Sequence, residues 1–279
     1  MRKLKIVADS ACDVFTLSGC DFSSAPLKLI TAEREFVDDE ALDVDEMVAY
    51  MSKYKGRSRS SCPSIGDWLE AFDGADDVFC VTITSGLSGS YNSAFSAKQA
   101  YESENEGKRV FIVDSLSAGP EITLIVEKLG ECVKEGKTYE EIAEIITEYR
   151  KNTGLLFMLK SLRSLANNGR VSPLVAKAIG VLGICIVGKA SDEGTLAPMH
   201  KCRGERRSLE TMVSSLAAEG FKSGRVSIGH CQNEEGAYQL KKLILEKYPD
   251  AVVDVHRLKG LCSFYAEMGG ILMGFEKSN

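Results

Sequence analysis

The apolar run Val78-Phe79-Cys80-Val81-Thr82-Ile83 breaks abruptly into Thr84-Ser85-Gly86-Leu87-Ser88-Gly89-Ser90. A β-rich segment that stops in small hydroxylated residues reads as a buried strand ending in an exposed turn. Two further runs end the same way: Lys5-Ile6-Val7-Ala8 in Asp9-Ser10, and Arg109-Val110-Phe111-Ile112-Val113 in Asp114-Ser115. Helical spacing separates them, over 43–53, 64–72, 90–102, 121–134 and 139–152, with Asp43 and Ser64 as N-caps. Strand and helix in alternation imply an α/β chain with a parallel, doubly wound sheet. Ala25-Pro26-Leu27-Lys28-Leu29-Ile30 reads as one more strand of this region.

The pattern changes near residue 153, where Thr153 to Met158 reads as a strand and 160–168 as a short helix stopped by Asn167-Asn168-Gly169. A helix is expected across 173–182, then strands at 184–187 and 196–199 joined by the turn Asp192-Glu193-Gly194. Helices over 206–219 and 234–247 and strands at 225–230 and 251–256 complete the segment. The expectation is an N-terminal α/β domain over 1–153 and a smaller C-terminal α/β domain with a mixed sheet over 154–279. The acids in 121–125 and 140–149 are read as solvated helix faces.

Strand ends are where open α/β sheets hold ligands. A second hydroxyl cluster, Ser58, Ser60, Ser61 and Ser64 around Pro63, precedes the first, so two polar loops flank one helix. Neither loop carries a base, a metal ligand or a lysine. That pairing suits binding of a small anionic group without bond-breaking. Gly86-Leu87-Ser88-Gly89-Ser90 misses the nucleophile elbow of serine hydrolases, which needs glycine where Ser90 stands. It is neither a Walker loop nor a dinucleotide fingerprint. Asp9-Ser10-Ala11 lacks the second acid of a phosphotransferase loop, so Asp9 and Ser10 are read as capping and loop-bonding residues. A serine esterase on Ser88 and a module for another amphipathic ligand stay open as alternatives.

A net charge of −6 argues against a general nucleic-acid surface. Lys201, Arg203, Arg206 and Arg207 form a local basic cluster, either a solvated helix start or a docking patch for a phosphate-bearing ligand or an acidic partner. Arg170, in Asn168-Gly169-Arg170-Val171-Ser172, is a helix-end cap or an anion contact. The nine cysteines have no CxxC spacing and are read as free thiols of a reducing cytoplasm. His200 and Cys202 lack a second ligand pair, so no metal is expected. The N-terminal residues do not have the apolar core of a signal peptide, and the apolar stretch 174–187 is broken by Lys177 and two glycines. A cytoplasmic location follows as the expectation.

Asp9-Ser10, Ser60-Ser61-Cys62-Pro63-Ser64, Ser85-Gly86-Leu87-Ser88-Gly89-Ser90-Tyr91, Asp114-Ser115 and Gly169-Arg170-Val171-Ser172 occur in the order seen in DegV proteins. The chain resembles this family of bacterial fatty-acid-binding proteins nearly end to end. The resemblance implies a two-domain fold with one long acyl chain, palmitate or similar, buried between the domains. It implies no cofactor and no catalytic site of its own. It also implies a partner, a fatty acid kinase catalytic protein that phosphorylates the presented carboxylate for phospholipid metabolism. Transient contact with a membrane surface is compatible with that role. The family's carboxylate-contacting hydroxyls map onto Ser60 and Ser88, with Ser61 and Ser85 adjacent. Arg170 matches an arginine near the pocket mouth, and Arg203 joins it as a candidate for the kinase interface. The family's first motif begins with threonine where Ser60 stands. Its C-terminal histidine is absent from the matching stretch Tyr265-Ala266-Glu267-Met268-Gly269-Gly270.

Overall fold

The computed structural model describes residues 2–172 and 183–278. Strand β1 (Leu4–Asp9) runs into a single 3-10 turn, Ser10–Cys12, then β2 (Phe22–Ala25), β3 (Lys28–Ile30) and β4 (Glu35–Val37). Helix α1 (Val44–Lys53), strand β5 (Arg59–Ser61), helix α2 (Ile65–Phe72), strand β6 (Asp77–Thr82) and helix α3 (Ser90–Glu104) follow. Then come β7 (Arg109–Asp114), α4 (Pro120–Lys134) and α5 (Tyr139–Lys151). The second half holds β8 (Thr153–Leu159), α6 (Arg163–Asn167), β9 (Ile184–Ala190), β10 (Leu196–Arg203) and α7 (Glu205–Ala218). It closes with β11 (Arg225–His230), α8 (Glu234–Lys247), β12 (Val252–Arg257), α9 (Gly260–Ala266) and β13 (Ile271–Glu276). The helix expected across 173–182 lies outside the described residues.

The first sheet is all parallel, in the order β2-β1-β6-β7. From β1 the chain adds β2 on one side and later β6 and β7 on the other. The C-terminal ends of β1 and β6 therefore form the crevice at which the winding reverses. The second sheet is mixed, in the order β10-β9-β8-β13-β11-β12, with β11 and β12 its parallel pair. One of its two central strands, β13, carries no element expected from sequence. A short run buried on both faces has no alternation to read.

The expected strand over 25–30 is two strands in two sheets. Pro26 has no N–H to give a ladder. β2 ends at Ala25 in the parallel sheet, and β3 begins at Lys28 in a small antiparallel sheet, β4-β3-β5. Helix α4 lies between the large sheets, packed on β1 and β6 of one and on β8, β11 and β13 of the other. That position corrects the reading of Glu121 as solvated. Its side chain is buried and accepts from Thr153 Oγ1 at 2.7 Å. Burial raises its pKa above the usual carboxylate range. Gly274 on β13 lets the sheet meet the start of α4, for a Cβ there would stand 2.5 Å from the backbone of Pro120 and Glu121. One apolar core runs from Ile6, Phe79 and Val81 through Ile122, Ile125 and Leu129 to Phe157, Leu261 and Leu272. No helix among the described residues is long and apolar enough to cross a membrane. All nine cysteines are free thiols.

Candidate functional site

An apolar cavity lies where the loops of the parallel sheet face the second sheet. Its interior volume is ≈ 80 Å³. Alternate residues of β8, Leu155, Phe157 and Leu159, form one wall because a strand turns every second side chain to the same face. Leu272 of β13 and Leu261, Cys262, Tyr265 and Ala266 of α9 form another. Leu27, Ile83, Leu87 and Ala118 close it from the parallel-sheet side, with Leu165 and Leu196 beside them. Ser60, Ser88, Arg170 and Tyr265 are its main polar lining groups, and contacts link Ser60 to Tyr265 and Tyr265 to Arg170. Ser60 Oγ and the Tyr265 hydroxyl are 2.6 Å apart, and the Arg170 guanidinium lies 5.7 Å from the Tyr265 ring centroid. Arg170 Nε donates to the Leu87 carbonyl, next to Ser88, at 3.2 Å.

Local sequence explains each placement. Ser60 pairs with Leu29 across the β3–β5 ladder, and the pleat turns Ser61 away from the cavity. After Pro63, Ser64 caps α2 in a capping box with Asp67, which ends the strand and turns the chain. Ser93 of α3 donates to the Pro63 carbonyl at 2.8 Å, so the two hydroxyl loops are tied together. In the second loop, Gly86 N–H donates to Thr84 Oγ1 at 3.0 Å and Ser90 N–H to Ser88 Oγ at 3.2 Å. Ser88 therefore spends a lone pair on its own turn and keeps its proton for a ligand. The N-termini of α2 and α3 both start at these loops and add positive helix-dipole ends.

Asp9 anchors the second loop from beneath. Its Oδ2 accepts from Ile83 N–H at 2.9 Å and from Ser90 Oγ at 2.5 Å. Full burial pushes its carboxyl up to about 7. Ser10 Oγ accepts from Leu27 N–H at 3.0 Å. Both residues bond loops, as expected, but Asp9 does not cap the turn that follows it. Asp114 Oδ1 accepts from Ser85 and Leu116 N–H at 3.1 and 3.2 Å. Helix α9 is held by two more buried acids. Asp38 accepts from Gly260 and Leu261 N–H at 2.8 and 2.9 Å, and Asp13 from Lys259 N–H at 2.7 Å. Burial pushes Asp38 up to about 6 and Asp13 up to about 8.

Of the four serines proposed from sequence, the structure brings Ser60 and Ser88 to one cavity. Ser61 and Ser85 lie outside its lining, and Ser85 is solvent-exposed. Arg170 lines the cavity, pinned by the Leu87 carbonyl and by the Asn168 carbonyl at 2.6 Å. Arg203 is elsewhere, exposed at the end of β10 beside a separate groove with His200, Arg206 and Arg207. Sequence reasoning missed Tyr265 as a site residue. It noted only the segment around it, and Tyr265 is 205 positions from Ser60. Among the described residues no cluster of histidine, cysteine, aspartate and glutamate could hold a metal ion. Among the described residues the cavity lining contains no histidine, lysine or carboxylate. The arrangement can hold an anionic head on hydroxyls beside a fixed cation and take its apolar tail into the interior.

The family model described as an uncharacterised protein of the DegV family matches residues 3–276. A DegV domain-containing protein of Streptococcus pneumoniae is 43% identical over 276 residues, 98% of each chain. A DegV family protein from Eubacterium eligens, solved loaded with heptadecanoic acid, is 44% identical with a TM-score of 0.96, covering 99% of this chain and 100% of that one. The Streptococcus pneumoniae fatty acid kinase (Fak) B3 protein, solved loaded with linoleic acid, is 42% identical with a TM-score of 0.97, over 99% and 100% of the two chains.

Proposed function

We propose, for a chain that belongs to the DegV family, that it binds a long-chain fatty acid in the cytoplasm and presents the carboxylate to a fatty acid kinase catalytic protein. The observation that carries this reading is the apolar cavity whose lining holds Ser60, Ser88, Tyr265 and Arg170 as its polar groups. Similar proteins solved with heptadecanoic and linoleic acid support it. The tail supplies most of the affinity, at about 0.8 kcal/mol per buried CH₂. Each charge-assisted bond from Ser60 and Ser88 adds about 1.5–3 kcal/mol. A head held by hydroxyls, with no covalent link, is free to react with a second protein. That suits a carrier with no catalytic site of its own. The kinase is the partner that gives this geometry a purpose, and a Fak B3 protein among the similar structures supports it.

The test is extraction of the purified protein and mass spectrometry of its lipid, followed by displacement of a fluorescent fatty acid. Ser60→Ala with Ser88→Ala is expected to weaken binding at least tenfold. Recovery of no acyl chain, with no palmitate or oleate binding, would sink the proposal. ATP-dependent acyl phosphate formation with a fatty acid kinase catalytic protein tests the partner. A serine esterase on Ser88 would show ester turnover that vanishes in Ser88→Ala. Nothing in the cavity lining supports it, since no histidine is present to take the serine proton.

A further inference from the structure

We infer that the Tyr265 hydroxyl is a third donor to the ligand's head group and sets the preference for a free carboxylate over a neutral head of the same chain. The inference rests on the reading of the cavity as a fatty-acid site. Tyr265 lies on α9 and lines the cavity, with its hydroxyl 2.6 Å from Ser60 Oγ. Two hydroxyls at that separation share one proton between them and leave the other free to turn to an acceptor. A carboxylate that accepts from Ser60 brings an oxygen within reach of the phenol. It can then take both protons, one on each oxygen or both on one.

Three features suit Tyr265 to this task. Burial raises its phenol pKa, so it stays a protonated donor at neutral pH. The Arg170 guanidinium beside its ring is tied to two backbone carbonyls, so a positive charge stays near the head group. The helix that carries it has its first amides fixed by Asp38 and Asp13, so the donor is held in place before the ligand arrives. Hydrogen bonds to an ionised acceptor are roughly twice as strong as those to a neutral one. A methyl ester or an alcohol therefore gains less from the same donors than the acid does.

The test compares palmitic acid with its methyl ester on wild type, Tyr265→Phe, Ser60→Ala and the double variant, each checked for native circular dichroism. Tyr265→Phe is expected to weaken the acid about tenfold or more and to leave the ester within about twofold. The double variant should lose less than the product of the single losses, because the two hydroxyls are paired. Equal loss for acid and ester would overturn the inference, since that is what a packing role gives. An unchanged acid affinity in Tyr265→Phe would overturn it too. Wild type that binds neither ligand would overturn the fatty-acid reading itself, a result distinct from either.

Discussion

Replacing Asp9 by asparagine should flatten part of the pH dependence of stability while leaving the ligand site in place. The carboxyl is wholly buried and is pushed up to about 7 from the ordinary 3.8. A group whose folded pKa is raised binds more protons in the folded than in the unfolded state between those two values. Its contribution is therefore fully present below 3.8 and is lost as pH rises toward 7. The loss approaches about 1.4 kcal/mol per pH unit between the two values and flattens at 7, so it is roughly 2.3 kcal/mol between pH 5 and pH 7. Asp38 and Asp13, pushed up to about 6 and about 8, act in the same direction. His256, pushed down to about 4 by burial, acts in the opposite direction and only below the ordinary 6.5. In Asp9→Asn the amide oxygen still accepts from Ile83 and Ser90, and nothing at this position titrates. At pH 5 the variant should match wild type within about 1 kcal/mol. By pH 8 it should be the more stable by roughly 2–3 kcal/mol. Urea unfolding at pH 5, 6, 7 and 8 measures this. Parallel curves for the two proteins would refute the reasoning. Asp9→Ala is the contrast. It strands two buried donors at about 1–3 kcal/mol each and frees the Ser88 turn, so stability and palmitate affinity should fall together.

Ala266→Leu adds carbon inside the cavity and should favour shorter acids, each displaced CH₂ costing about 0.8 kcal/mol, as read by competition among C12 to C18 acids. Equal ranking with wild type would place Ala266 away from the chain. Gly274→Ala forces a methyl to 2.5 Å from the backbone of Pro120 and Glu121 and should cost about 1–3 kcal/mol in urea unfolding, because backbone cannot give way. Below pH 4 the ion pairs of Asp77 with Arg2 and Arg109 should dominate. Arg2 and Arg109 outweigh burial and hold Asp77 down at about 2, so their support is lost as pH falls from 3.8 toward that value, and Asp77→Asn should remove this acid-side loss.

Much of the parallel sheet could be read because β1, β6 and β7 are β-branched runs ending in polar turns, a local signal. The three-residue strands of the small sheet are too short for a period, and Pro26 divides what looks like one run. Glu121 misled because its helix is covered on two sides by sheets that no local pattern places around it. At the site, the hydroxyl loops were legible, but which hydroxyls face the cavity was not. Ser60 and Ser61 are equivalent in composition and opposite in the pleat, and only the register with β3 separates them. Tyr265 was hidden by distance along the chain. Arg203 shares a basic cluster in sequence but stands at the far end of its strand from the cavity wall.

The central position of β13 bears on how the molecule is assembled. Its partners are β8, more than a hundred positions earlier, and β11. Until residues 271–276 arrive, β8 and β11 have no strand between them and the cavity lacks Leu272, while the helix carrying Tyr265 is made only just before. Pairings this remote in sequence form slowly. During synthesis the cavity is therefore completed only well after β8 and β11 have been made. Under the proposed function, acyl-chain binding appears only once β13 has joined the sheet.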